Sequence, residues 1–146
     1  MDNKISVAAQ VKRAYTDTGY VFLLIGVLDV ICLFLKDLGL IYEILDWVSV
    51  LMLAVALFLI CKTVKAEREV FDELAEENLL RAKSKTIGKV KMLLIYLMIV
   101  VCVLEVFNRN LEWNLTLYDV FKPMAYMLIG YIDIFIGYYF RKYEAE

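Results

Sequence analysis

The chain has 146 residues, of which 62% are hydrophobic and 23% are charged, and its formal net charge is −2. Soluble domains are about half apolar, so this composition and the mean hydropathy of +0.67 exclude an ordinary water-soluble domain. Histidine is absent and the three cysteines form no C-x-x-C pair, which removes the usual general base and the usual metal-binding motifs. We therefore expect no enzymatic activity, no catalytic residues, no cofactor or metal, and no nucleic-acid partner.

The N-terminal residues predict an amphipathic helix that lies on the membrane or leads into it. Val7, Val11, Ala14 and Tyr15 share one helical face beside basic residues. Gly19 is interpreted as a joint before the first span.

Four apolar stretches follow, each close to the ~20 residues that cross a ~30 Å hydrocarbon core. With their flanks they predict spans at 16–36, 43–62, 90–108 and 117–140. The predicted fold is all-α, an integral membrane four-helix transmembrane bundle forming a single domain over residues 1–146.

Between the second and third spans, residues 62–89 favour helix, because Ala, Glu, Leu, Lys and Arg dominate. We expect a cytoplasmic helical extension of span two. Phe71, Leu74 and Asn78 lie on one side of it at coiled-coil-like spacing, as in a contact with a partner or a second copy. Packing of this stripe within the chain explains it equally well.

The basic residues set the expected orientation. All of them except Lys36, Arg109 and Lys122 lie on the side of the two termini and the 62–91 connection. The positive-inside rule therefore predicts cytoplasmic N- and C-termini. We expect a bacterial inner (plasma) membrane protein whose first partner is the lipid bilayer.

Acidic residues within the spans are the main functional candidates. Asp29 is predicted near the middle of span one, Asp133 lies in span four, and Glu105 lies near the outer end of span three. An ionised carboxylate at the bilayer centre costs at least ~2.5 kcal/mol, so such groups normally face the bundle interior or a water-filled path. No lysine or arginine is expected at matching depth. The acids are then either neutral and hydrogen-bonded across helices, or part of a cation or proton path.

Two further patterns concern the outer end and the helix contacts. Glu43, Asp46 and Asp119 predict an acidic mouth that concentrates cations, although a solvated rim explains them as well. Two glycine pairs at seven-residue spacing predict close helix approach in spans one and four. They are Gly19 with Gly26, and Gly130 with Gly137.

Three functions are compatible with these features. The leading hypothesis is a homo-oligomeric channel- or pore-type protein that conducts or binds cations through Asp29 and Asp133. The alternative is a membrane anchor, sensor or effector subunit whose cytoplasmic helix binds a soluble protein. The third is a small proton-coupled exporter that uses Asp29.

Overall fold

The computed structural model describes residues 7–35, 38–68, 73–111 and 116–145. Over these ranges the chain forms four α-helices and no strand. They are α1 (Val7–Phe34), α2 (Leu40–Arg68), α3 (Glu73–Leu111) and α4 (Leu117–Glu144). Each helix is long and apolar enough to cross a membrane, which suggests a membrane protein. The prediction of an all-α fold with four such helices is confirmed.

The first helix differs from the prediction in its continuity. α1 runs unbroken from Val7 to Phe34, so the amphipathic N-terminal segment and the first span are one helix. Gly19 lies inside this helix, and its interpretation as a joint is wrong. The residue serves a helix contact instead, described below.

The segment between the second and third spans is divided differently from the prediction. α2 ends at Arg68, and from Glu73 onward the polar segment is the first part of α3. Of the part of this segment that the structure describes, residues 62–68 extend span two and the residues from Glu73 onward do not. The physical reason is burial, since Leu79 and Ala82 pack into a core shared with the other helices. A straight continuation of α2 would carry these side chains away from that core.

Antiparallel pairing organises the bundle. α1 packs against both α2 and α4, and α3 packs against α4. We call the end at which α1 begins and α4 ends the terminal end, and the opposite end the hairpin end. A core of residues from all four helices lies at the terminal end. Its members are Val11, Tyr15, Ala66, Leu79, Ala82, Ile136 and Phe140.

Glycines bring α1 and α4 into direct backbone contact. A Cβ atom added to Gly130 would lie 2.6 Å from the Gly19 carbonyl oxygen, and one added to Gly26 would lie 2.9 Å from the Pro123 carbonyl oxygen. At Gly137 an added Cβ would lie 2.9 Å from the Thr16 hydroxyl oxygen. The predicted close approach is confirmed, and we call this contact the glycine seam, formed by Gly19, Gly26, Gly130 and Gly137.

Burial is unequal among the four helices. In the most apolar 18-residue window of each, 39% of α1, 22% of α4 and 11% of α2 is buried, whereas none of α3 is. The α1–α4 pair is therefore the centre of the bundle, and the apolar half of α3 lies at its periphery.

Candidate functional site

Asp29 on α1 is the most buried carboxyl group among the residues with described burial, with 5% of its surface exposed. The Ser49 hydroxyl on α2 donates a hydrogen bond to its Oδ1 atom over 2.8 Å. The Lys122 ammonium on α4 lies 3.3 Å from its Oδ2 atom, and 30% of the lysine side chain is exposed. Three helices thus meet at one carboxylate.

This ion pair overturns the expectation that no basic residue lies at matching depth. The glycine seam sets the register, because Gly26 lies against Pro123 and so brings Asp29 opposite Lys122. The depth of Asp29 also differs from the prediction. It lies five residues before the end of α1 at Phe34, or about 8 Å from the hairpin end at 1.5 Å per residue.

The Oδ2 atom of Asp29 is buried and has the Lys122 ammonium 3.3 Å away as its ion-pair partner. A second cation at this oxygen would therefore have to displace the lysine.

A cavity of about 80 Å³ adjoins this pair at the hairpin end. Three aspartates, one lysine and two tyrosines are among the residues that line it. The full lining is Asp29, Cys32, Leu33, Tyr42, Asp46, Tyr118, Asp119, Lys122 and Pro123. We call this cavity the hairpin-end pocket. It brings together Asp46 and Asp119 of the predicted acidic mouth with Asp29, whereas Glu43 is exposed on α2 outside the lining.

Asp119 also fixes the start of α4. Its Oδ2 atom accepts hydrogen bonds from the Thr116 backbone amide over 2.9 Å and from the Thr116 hydroxyl over 2.8 Å. The Asp119 amide donates to the Thr116 hydroxyl oxygen over 3.3 Å, which completes a capping box. Sequence reasoning missed this role, although a threonine three residues before an acid at a helix start is its signal.

A second polar cluster lies at the terminal end. The Tyr15 hydroxyl donates to Glu67 Oε1, and the Lys83 ammonium lies 2.7 Å from the same oxygen. Lys83 also lies 5.9 Å from the centre of the Tyr15 ring, within cation–π range. Asp133 is half-buried on α4 and acts on Tyr15 electrostatically. The sequence predicted a role for Asp133 but not for Glu67 and Lys83, which lie in the polar segment between the second and third spans.

An apolar layer separates the two polar clusters. The buried Thr18 and Thr63 hydroxyls share a hydrogen bond of 3.1 Å on the side of the terminal end. Asp29 lies eleven residues further along α1, or about 16 Å. Phe22, Ile25 and Ala56 form a buried cluster between these levels. Asp29 and Asp133 are therefore not brought together within one chain.

The remaining candidates are placed as follows. Asn78 is 6% exposed and is buried within the chain, whereas Leu74 is 65% exposed. Phe71 and the side chain of Glu105 lie outside the described residues. The predicted partner stripe thus leaves Leu74 as its exposed member in the described part of the chain.

The described residues contain no group of three or more His, Cys, Asp or Glu side chains that could hold a metal ion. Protein-family models, curated proteins and solved structures were compared with the chain, and none of them matches it.

Proposed function

We propose that this chain is a four-span protein of a bacterial plasma membrane that binds a cation at Asp29 in the hairpin-end pocket. The carrying observation is the Asp29 carboxylate itself, which is buried among three helices, borders a cavity and is paired with a partly exposed lysine. Ionisable groups at such positions are expensive to retain in a membrane, and they commonly mark ion or substrate sites.

In the proposed orientation both termini are cytoplasmic and the hairpin-end pocket opens to the outer side. The distribution of lysine and arginine supports it. Fusions of alkaline phosphatase, which is active only outside the cytoplasm, test it at two positions. We expect activity after residue 37 and none after residue 84. The reverse pattern would overturn the orientation.

Cation binding at Asp29 follows from the local charges. Asp29, Asp46 and Asp119 are three carboxyl residues among those that line the pocket, and Lys122 is the one amine residue among the described lining residues. A low-dielectric surrounding strengthens the attraction between the Asp29 carboxylate and a cation relative to water. The Lys122 side chain is partly exposed, so it can leave the carboxylate without first crossing the core.

Calorimetric titration of the purified full chain in lipid nanodiscs tests the proposal, with sodium and tetramethylammonium chlorides as the probes. We expect saturable binding of at least one cation, lost in Asp29→Asn. The matched control is Asp17→Asn, which removes another α1 carboxyl group, one that pairs with Arg13 near the terminal end. If the folded wild-type chain binds neither cation, or if both variants bind as it does, the proposal is wrong.

A homo-oligomeric pore is the second candidate function. Its supporting observation is the apolar window of α3, which has no buried residue in a single chain. Because the apolar layer of Phe22, Ile25 and Ala56 interrupts the polar groups of one chain, a conducting path would have to run between copies.

The exposed Cys102 on α3 provides a native test of the pore. A membrane-permeant bifunctional thiol reagent should link copies through Cys102, and Cys102→Ser should abolish the product while Cys61→Ser retains it. Planar-bilayer recordings should then show a cation current, and Cys102→Ser treated with the same reagent serves as the uncrosslinked control. A chain that stays uncrosslinked and passes no current is not such a pore.

A further inference from the structure

We propose that the cation taken up by the hairpin-end pocket is a small organic ammonium compound, which displaces the Lys122 ammonium from Asp29. This inference rests on the proposed cation-binding function and names its ligand class. The pocket, the ion pair and the aromatic lining each contribute a separate observation.

The present occupant of Asp29 is itself an alkylammonium group. The Lys122 nitrogen lies 3.3 Å from Oδ2 of Asp29, and the two groups form an ion pair. Charge attraction to a carboxylate is a contact that other ammonium groups can also make. A free ammonium ligand therefore finds a carboxylate already arranged for its chemical group.

When a ligand displaces Lys122 from Asp29, the lysine can pair with another carboxylate. Asp46 lines the same pocket and interacts electrostatically with Lys122 in the present arrangement. When a ligand takes Asp29, Lys122 can move toward Asp46, so each carboxylate keeps a cation. This exchange avoids the large cost of a buried charge without a partner.

The lining favours an organic cation over a metal ion. Tyr42 and Tyr118 are among the residues that line the pocket, and aromatic faces attract alkylammonium groups. Metal ions instead require several oxygen ligands at short range. The residues that the structure describes contain no group of three or more acidic or thiol side chains that could supply them.

The cavity size limits the ligand. A cavity needs at least about 10–15 Å³ of such volume to admit one water molecule, so a cavity of about 80 Å³ has room for a few water-sized groups. A compound of similar size, such as tetramethylammonium, matches it, whereas a long polyamine exceeds it.

Two measurements on the full chain in nanodiscs test the inference. By calorimetry, tetramethylammonium should bind at least tenfold more tightly than sodium. Lys122→Met should tighten that binding by a further tenfold or more, because it removes the competing ammonium. The matched control is Lys83→Met, which removes an ion-paired lysine from the terminal-end cluster and should leave the affinity unchanged.

The second measurement uses the wild-type chain, so it does not depend on the folding of a variant. Saturating tetramethylammonium should raise the acylation of Lys122 by an amine-reactive reagent, measured by mass spectrometry, while Lys83 stays constant as an internal control. Sodium binding at Asp29 without tetramethylammonium binding would overturn the ligand class and leave the proposed function standing. Absence of binding by both cations would overturn both. Unchanged Lys122 acylation at saturation would overturn the displacement.

Discussion

Replacement of Gly130 by alanine should force α1 and α4 apart at the glycine seam. The added Cβ atom would lie 2.6 Å from the Gly19 carbonyl oxygen and 2.8 Å from the Leu23 amide nitrogen, whereas ordinary contact begins at 3.4 Å. Both neighbours are backbone atoms, so no side-chain rotation relieves the overlap. Overpacking of this kind costs about 1–3 kcal/mol of folding free energy.

Gly88→Ala is the matched control for the helix propensity of alanine. Gly88 lies in α3, and a Cβ atom added there meets nothing within 4 Å. Alanine is favoured over glycine within a helix by about 1 kcal/mol, and this gain applies to both variants. The free energies of unfolding of the two variants should therefore differ by the overlap alone, about 1–3 kcal/mol, with Gly88→Ala the more stable.

Reversible unfolding in mixed micelles of sodium dodecyl sulfate and a mild detergent measures this difference, with helicity followed by circular dichroism. The wild-type chain should fall below Gly88→Ala in stability. If Gly130→Ala proves as stable as Gly88→Ala, α1 and α4 do not approach each other through these glycines, and the register that pairs Asp29 with Lys122 loses its support.

Three further predictions use the same unfolding measurement. Asp29→Asn and Lys122→Met should each lower the free energy of unfolding by about 2 kcal/mol, because each leaves one charge of the pair without its partner. The double variant leaves no unpaired charge, so it should lose less than the sum; strict additivity would contradict the ion pair. Thr18→Val and Thr63→Val should each lower the free energy of unfolding by about 1 kcal/mol. The two losses should not add in the double variant, because the two hydroxyls share one hydrogen bond. Gly39→Ala should lose about 1 kcal/mol, since its φ of +46° is unfavourable for residues with a Cβ atom; an unchanged stability would show that this turn tolerates other conformations.

The four helices could be predicted because their apolar runs are long enough to cross a membrane and exceed what a soluble chain of this length can cover. The end of α2 at Arg68 could not be predicted from the sequence. Residues 62–86 contain neither glycine nor proline and have uniform helical composition, so nothing local marks a boundary. The boundary follows from tertiary burial of Leu79 and Ala82, which single-sequence propensity does not contain.

The glycine seam was accessible from the sequence for a geometric reason. Residues seven apart lie two helical turns apart on nearly the same face, so Gly19 with Gly26 and Gly130 with Gly137 each form a stripe of small residues. The sequence gives no register between the stripes, and register is what brings Lys122 to Asp29. The sequence therefore indicates Asp29 as a candidate acid, and it places Lys122 only on the side opposite the termini.

The position of Asp29 along α1 favours cation binding within one chain over conduction through it. Because α1 is a single 28-residue helix, Asp29 lies about 8 Å from the hairpin end, and its partner Lys122 is partly exposed. A dissolved cation can thus reach Asp29 from the hairpin side by replacing a lysine. Asp133 lies sixteen residues from the start of α4 and eleven from its end, so it is the deeper acid, and the apolar layer separates it from Asp29. Among the described residues of one chain, the apolar layer leaves no polar route between the two carboxylates. Under the proposed function, a cation would therefore enter and leave the hairpin-end pocket from the same side.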